Sequence, residues 1–297
     1  MKLGIAIPHY GSGMEAGGMA PFARRVEELS FDSLWVTDHI AVPVEHPHVY
    51  KRKMLDAVGT LHYLAAVTER VSLGTSVMVL AYRHPVTLAK QIATADQLSG
   101  GRVIFGAAAG YMEGEFRVLN TDYANRGAVA DEALEVIRAC WAGTEPSVRT
   151  ERFAVDGVAY SPAPIQKNGE RSGPPIWIGG LSRPAMRRAV RQDGWHGMPQ
   201  SMQGLQASIA YLRAESERAG RESPPTISLR ATLWCESEPP GDLLGGPKGS
   251  SAQVTEALLG YAGAGVEHMV LGFPEIPMGQ AREQVEMLAS EVLPRLG

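Results

Sequence analysis

Asp38 and His39 stand together at the end of the apolar run Leu34–Thr37, and both side chains can hold or release a proton. A histidine titrates near neutrality, so at a strand end it can donate a proton or steady a developing charge. His9, followed by Tyr10, closes the opening strand in the same manner. Small residues gather in Gly106–Gly110 (GAAAG), where Ala108 and Gly110 permit close backbone approach to a ligand. Ile178, Gly179, Gly180 and Ser182 (within IWIGGLSRPA) lie between a strand and a helix start. Backbone N–H groups and a helix N-terminus there suit a phosphate. Arg183, Arg187, Arg188 and Arg191 add positive charge along that helix. Tyr82 and Arg83 follow the third strand, and Arg83 suits either an anionic substrate or an ion pair at the rim. Glu113 and Glu115 read as solvated first-turn residues at a helix N-terminus. Trp195 and His196 border the same region, while Trp35, Trp141, Trp177, His62, His84 and His268 read as structural.

What positions these residues is a repeated strand–helix rhythm. Strands are predicted at Lys2–Pro8, Leu34–Thr37, Val71–Leu80, Arg102–Ala109, Pro175–Ile178, Gly194–Met198, Ile227–Cys235 and His268–Phe273. Helical spacing links Met19, Phe22, Val26 and Leu29, then Leu55, Val58, Leu61 and Ala65, then Leu88, Ile92, Ala95 and Leu98. It recurs at Val129, Ala133, Val136 and Ile137, and at Ala281, Val285, Leu288 and Val292. Eight such repeats predict an α/β fold, a (β/α)8 TIM barrel forming one domain over 1–297, with an open doubly wound sheet as the alternative. In a barrel the carboxyl ends of the strands share one face, and that face carries the chemistry. An insertion over roughly 142–174 interrupts the rhythm between strands four and five, with a predicted hairpin pairing Arg152–Val155 with Val158–Tyr160 around Asp156–Gly157. The Pro/Gly-rich loop Glu236–Gly249 is placed as a lid.

Composition narrows the function. With 297 residues, 44% apolar, and a formal charge of -4, the chain gives no electrostatic reason to expect nucleic acid or a membrane surface as partner. The opening apolar stretch is too short for a signal-peptide core, and a cytoplasmic location is expected. Cys140 and Cys235 lack CxxC spacing, and the His46–His48 pair lacks a third ligand, so no metal is expected.

Together, GIAIPHYG, SLWVTDHI, LGTSVMVLAYRHP–AKQIATADQLSGGR, GAAAGYMEGEF, NRGAVADEAL and PPIWIGGLSRPAMRRAVRQDGW resemble the bacterial luciferase-like family, in particular its branch using the deazaflavin coenzyme F-420. The likeness covers most of the first 200 residues. It implies a barrel, often dimeric, that binds a flavin or deazaflavin on its C-terminal face. It implies that Asp38 and His39 lie against the ring with His39 as proton carrier, His9 being a second candidate. It also implies a bulge at Ser76–Val77 bearing a cis peptide that presses on the ring. A polyanionic cofactor tail would then meet Lys51, Arg52 and Lys53. The expected activity is hydride transfer between coenzyme F-420 and a small organic substrate. The alternative is an FMN-dependent monooxygenase served by a reductase partner.

Overall fold

The computed structural model describes residues 1–11, 13–44, 53–169, 171–235 and 245–296. Eight parallel strands close on themselves: β1 (Lys2–Ala6), β2 (Ser33–Val36), β3 (Ser72–Thr75), β4 (Val103–Ala108), β5 (Ile176–Gly179), β6 (Gly194–Gly197), β7 (Thr226–Thr232) and β8 (His268–Gly272). Each pairs with its sequence neighbour, and β8 returns to β1 with Lys2 opposite His268, so the expected barrel is the observed fold. The helices that follow the strands are α1 (Met19–Glu28), α2 (Ala57–Val67), α3 (Pro85–Ser99), α4 (Arg126–Ala142), α5 (Arg183–Val190), α6 (Met202–Arg218), α7 (Ser251–Gly263) and α8 (Met278–Met287).

Alternation along the strands divides the core in two. Leu3, Ile5, Leu34, Leu73, Phe105, Ile178, Leu229 and Leu271 point outward and pack with the helices. Ala6, Trp35, Trp177 and Val270 form a separate cluster inside the barrel. Trp35 stacks on Trp177 at 5.5 Å and on His196 at 5.2 Å between ring centres. Glycines make the room for this aromatic plug: a Cβ on Gly74 would lie 2.2 Å from Trp35, and one on Gly194 2.3 Å from Trp177. The expectation that Trp35 and Trp177 are core therefore holds, but they fill the barrel itself. Above them the inward positions are small (Ser76, Ala108, Gly179), which leaves the C-terminal mouth open.

Two local expectations fail. The first concerns α3, where Leu98 is 60% exposed and Ser99 is buried instead. A helix advances about 100° per residue, so 88, 92, 95 and 99 share the buried face and 98 turns off it. The second is the inserted hairpin, which pairs Val148–Arg149 with Ala154–Val155. Glu132 fixes that turn by accepting from Thr150 Oγ1 at 2.6 Å and from the Arg152 N–H at 2.8 Å. After Gly157 (φ 64°) the chain runs on to anchor the Tyr160 N–H on Thr144 O, so 158–160 forms no strand. Of the expected lid, 236–244 lies outside the described residues. Among the described residues no helix is long and apolar enough to cross a membrane.

Candidate active site

Strand β3 contains one residue more than its neighbour can pair. Gly74 pairs Ile104 and Met78 pairs Ala107, so four steps on one strand face three on the other. The surplus is a bulge at Ser76–Val77, whose peptide bond is cis. Three bonds hold it. The Ser76 N–H donates to Val36 O at 2.7 Å, Ser76 Oγ lies 2.8 Å from His196 Nε2, and the Val79 N–H donates to Asp38 Oδ2 at 3.0 Å. His196 Nδ1 is in turn 2.9 Å from Ser228 Oγ. Burial first, then the charge of Arg230 and the neighbouring His268, lowers His196 to about 3 and keeps it neutral. His196 thus supports the bulge from within the barrel.

The Val77 side chain leans across the tops of β4 and β5. A Cβ on Gly179 would lie 3.1 Å from a Val77 methyl and 3.4 Å from the Ala108 Cβ. A Cβ on Gly106 would lie 1.8 Å from Thr75 O, so that position accepts glycine alone. The result is a surface low in side chains, bounded by Ser76, Val77, Ala108 and Gly179. Gly110 (φ 87°) turns the chain away beyond it, packed against Val79 and Phe116.

Asp38 and His39 leave β2 in different directions. Asp38, 2% exposed, is saturated: Arg83 Nη1 and Nη2 donate to its two oxygens at 2.8 and 2.9 Å. Arg83 Nη2 also donates to Asp56 at 2.7 Å, at the N-cap of α2. Asp38 is thereby a staple between β2 and the bulge, and of the two readings of Arg83 the ion pair at the rim is the one observed.

His39, 8% exposed, pairs through Nδ1 with Glu115 Oε2 at 2.5 Å. Tyr82 OH donates to the same oxygen at 3.0 Å, and the N–H groups of Ile40 and Ala41 donate to Oε1 at 2.7 and 2.9 Å. Burial alone would raise Glu115; the bond and charge of His39, with the two backbone donors, outweigh it and hold the carboxyl below its ordinary value. Burial, then the charge on Glu115, pushes Tyr82 upward, so the phenol stays a donor. Glu115 is fully buried, which corrects its reading as a solvated first-turn acid. A carboxylate held in this way fixes the imidazole's orientation.

His9 is also fully buried, with Nδ1 3.0 Å from Ile7 O and Nε2 2.9 Å from Thr37 O. Its pKa is lowered, chiefly by burial. It ties the ends of β1 and β2 together and has no opening to the mouth, a correction to its reading as a second proton carrier. Trp195 is fully buried on the outer side of β6 and does not border the mouth; its Nε1–H donates to Gly180 O at 2.8 Å. Ile178 faces outward too, so only its backbone belongs to the site.

Gly180 (φ 116°) and Ser182, the N-cap of α5, shape the remaining wall. Ser182 Oγ accepts from the Ala185 N–H at 3.4 Å. The helix arginines are engaged elsewhere. Arg188 and Arg191 bind Asp131, and Arg183 lies 3.8 Å over the Tyr211 ring. Lys53 is exposed at the rim, beside β1 through the Gly11 N–H to Lys53 O bond of 2.8 Å. His46, His48, Lys51 and Arg52 lie outside the described residues. Sequence reasoning placed His196 beside the site without its bond to the bulge, gave Glu115 a solvated role, and missed Arg230. Arg230 left a trace in the alternation of polar 228, 230 and 232 with apolar 227, 229 and 231.

A surface depression lined by Met1, Lys2, Asp32 and Glu267 lies at the opposite, N-terminal end of the barrel, away from the strand ends that carry these residues. Comparison with known proteins agrees on the architecture. An uncharacterised protein of Mycobacterium tuberculosis is 30% identical over 224 residues, 70% of this chain and 75% of its own. Among solved structures, a coenzyme F-420-dependent secondary alcohol dehydrogenase in complex with a coenzyme F-420–acetone adduct superposes with TM-score 0.81 at 17% identity, covering 100% of this chain and 99% of that one. The oxygenating constituent of a type II Baeyer–Villiger monooxygenase from Pseudomonas putida, in complex with FMN, gives 0.78 at 15%, with the same coverage. Residues 1–239 match the family described as luciferase-like monooxygenase, and the chain belongs to that family of oxidoreductases and monooxygenases.

Proposed function

We propose that the protein is a coenzyme F-420-dependent oxidoreductase acting on a C=C, C=N or C=O bond of a small organic substrate, or on the corresponding reduced compound. The observation that carries this reading is His39, clamped by Glu115 at the rim of a surface stripped of side chains. A flat tricyclic ring suits that surface, where Gly179 and Ala108 bring little side chain beside Val77. The deazaflavin, when bound, supplies or accepts the hydride. The chain's own part is orientation, exclusion of water and proton handling. His39, oriented by Glu115, gives a proton to the substrate atom left negative by hydride addition, and takes it back in the reverse direction.

What favours deazaflavin over flavin in this reading is the set of donors at the phosphate. The cradle at Gly179, Gly180 and Ser182 is built from backbone and a hydroxyl, while Arg188 and Arg191 share the single carboxylate of Asp131 and Arg183 lies over Tyr211. A singly charged phosphodiester, as in coenzyme F-420, suits it; a phosphomonoester such as FMN carries about -1.5 to -2 at pH 7 and calls for cations.

Titration of the purified protein with oxidised coenzyme F-420 and with FMN, followed by fluorescence, tests the proposal. Micromolar quenching of coenzyme F-420 is expected. Micromolar FMN binding with none for coenzyme F-420 would transfer the assignment to a flavin-dependent monooxygenase, and binding of neither would remove it.

A further inference from the structure

Arg230 rises from β7 into the mouth of the barrel and is half-buried there. Nη2 donates to Tyr10 OH at 3.2 Å and Nη1 to Thr37 Oγ1 at 3.5 Å. Its guanidinium lies where a Cβ on Gly272 would come within 2.6 Å of Nη2, so the absence of a side chain on β8 gives it its place. Other arginines withdrawn from solvent are differently served. Arg83, Arg138, Arg152 and Arg188 each meet a carboxylate, and Arg102 and Arg221 are ringed by backbone carbonyls. Among the described residues Arg230 has neither. Two hydroxyls occupy two of its five N–H donors, and neither hydroxyl carries charge.

A guanidinium partly removed from water without an anion is costly, and a site that retains one is prepared for an anion that arrives later. Among the described residues, Asp38 is taken by Arg83, and Glu115 by His39, Tyr82 and two backbone N–H groups. The positive charge of Arg230 also lies close enough to His9 and His196 to disfavour a proton on either. Its place in the barrel says which ligand it faces. The bulge, Ala108 and Gly179 lie on β3, β4 and β5, whereas Arg230, Tyr10 and Thr37 lie on or just beyond β7, β1 and β2. If the ring rests on the first group, as the proposed function holds, the second group faces the substrate.

We propose that Arg230, with Tyr10, is a substrate-binding residue that receives a carboxylate, so that the substrates of this enzyme are small organic acids. The planar guanidinium edge matches the two oxygens of a carboxylate, and the Tyr10 hydroxyl stands beside it as a further polar contact.

The test uses benzoate and acetate as probes against benzamide and acetamide, at constant ionic strength. It follows thermal stability of the cofactor-free protein and, separately, the fluorescence of bound coenzyme F-420. Both carboxylates should stabilise the wild-type protein in a saturable way and the amides should not. Arg230→Met should weaken benzoate binding at least about tenfold while coenzyme F-420 binds as in wild type, as expected for loss of a charge-assisted pair. Arg230→Lys, which keeps the charge and loses the fork, should fall between them and serves if the methionine variant does not fold. Equal effects of benzoate and benzamide, no effect of either carboxylate on the wild type, or unchanged benzoate affinity in Arg230→Met overturns the proposal. So does loss of coenzyme F-420 affinity in Arg230→Met, which would place Arg230 against the cofactor. Carboxylate binding that depends on Arg230 in a protein that fails to bind coenzyme F-420 would leave this inference standing and remove the cofactor assignment.

Discussion

At the scale of single residues, the site depends on a buried carboxylate that serves four donors at once. Glu115 Oε1 and Oε2 meet His39, Tyr82 and the N–H groups of Ile40 and Ala41. Alanine at 115 would orphan all four, and stability should fall by about 3–5 kcal/mol, as when one partner of a buried pair is removed; urea denaturation measures it. Glu115→Gln keeps the volume but not the charge. Turnover should drop severalfold with cofactor affinity kept; unchanged turnover would show that Glu115 is only a packing residue. His39→Ala should retain the cofactor and lose at least tenfold in turnover, since general acid catalysis contributes about 10²–10⁴. Unchanged turnover would exclude His39 as the proton carrier. Asp38 and His39 are adjacent in sequence, yet one pairs with Arg83 and the other with Glu115. Successive residues near a strand end project to opposite sides, and sequence proximity does not reveal which side holds a partner.

Among the elements, the bulge after β3 decides where a ligand fits. It lies between a serine held by His196 and a backbone N–H held by Asp38, and the tops of β4 and β5 carry small residues against it. Gly179→Ala introduces a methyl 3.1 Å from Val77 with no backbone clash, so the fold should survive while cofactor affinity falls tenfold or more by fluorescence titration. Gly106→Ala, whose methyl would meet Thr75 O at 1.8 Å, must move β3 and should lower both stability and cofactor affinity. An affinity loss at 179 with an unchanged melting temperature separates filling of the cradle from damage to the fold. The strands and most of the helices were legible from alternation and 3.6-residue spacing, because burial on one face imposes those periods. The inserted hairpin was not, because Thr150 and Glu132 set its register through contacts that no local pattern encodes.

For the whole molecule, the barrel interior is polar as well as aromatic. His196 and His268 are both lowered from 6.5 to about 3, primarily by burial. The unfolded chain therefore binds these protons at a higher pH than the native protein does. Stability from this source is present above pH 6.5 and is lost progressively as pH falls from 6.5 toward 3. The melting temperature should decline from pH 7 to pH 4.5, and less steeply in a His268→Asn variant; a flat profile would show that the two rings are hydrated in solution. The positive charge of Arg230, which also opposes a proton on His196, links this interior layer to the mouth above it.

The amino-acid sequence by itself determined the barrel, the order of its strands and the end at which functional residues collect. Those follow from hydrophobic period and from the number of strand–helix repeats, which favours closure over an open sheet. Only the tertiary structure decided which polar residues satisfy one another. Asp38 was assigned to Arg83, Glu115 to His39 and His196 to Ser76, and Arg230 met, among the described residues, the hydroxyls of Tyr10 and Thr37. Partners of that kind are dozens of residues apart or more, and a buried charge takes its role from what surrounds it in space.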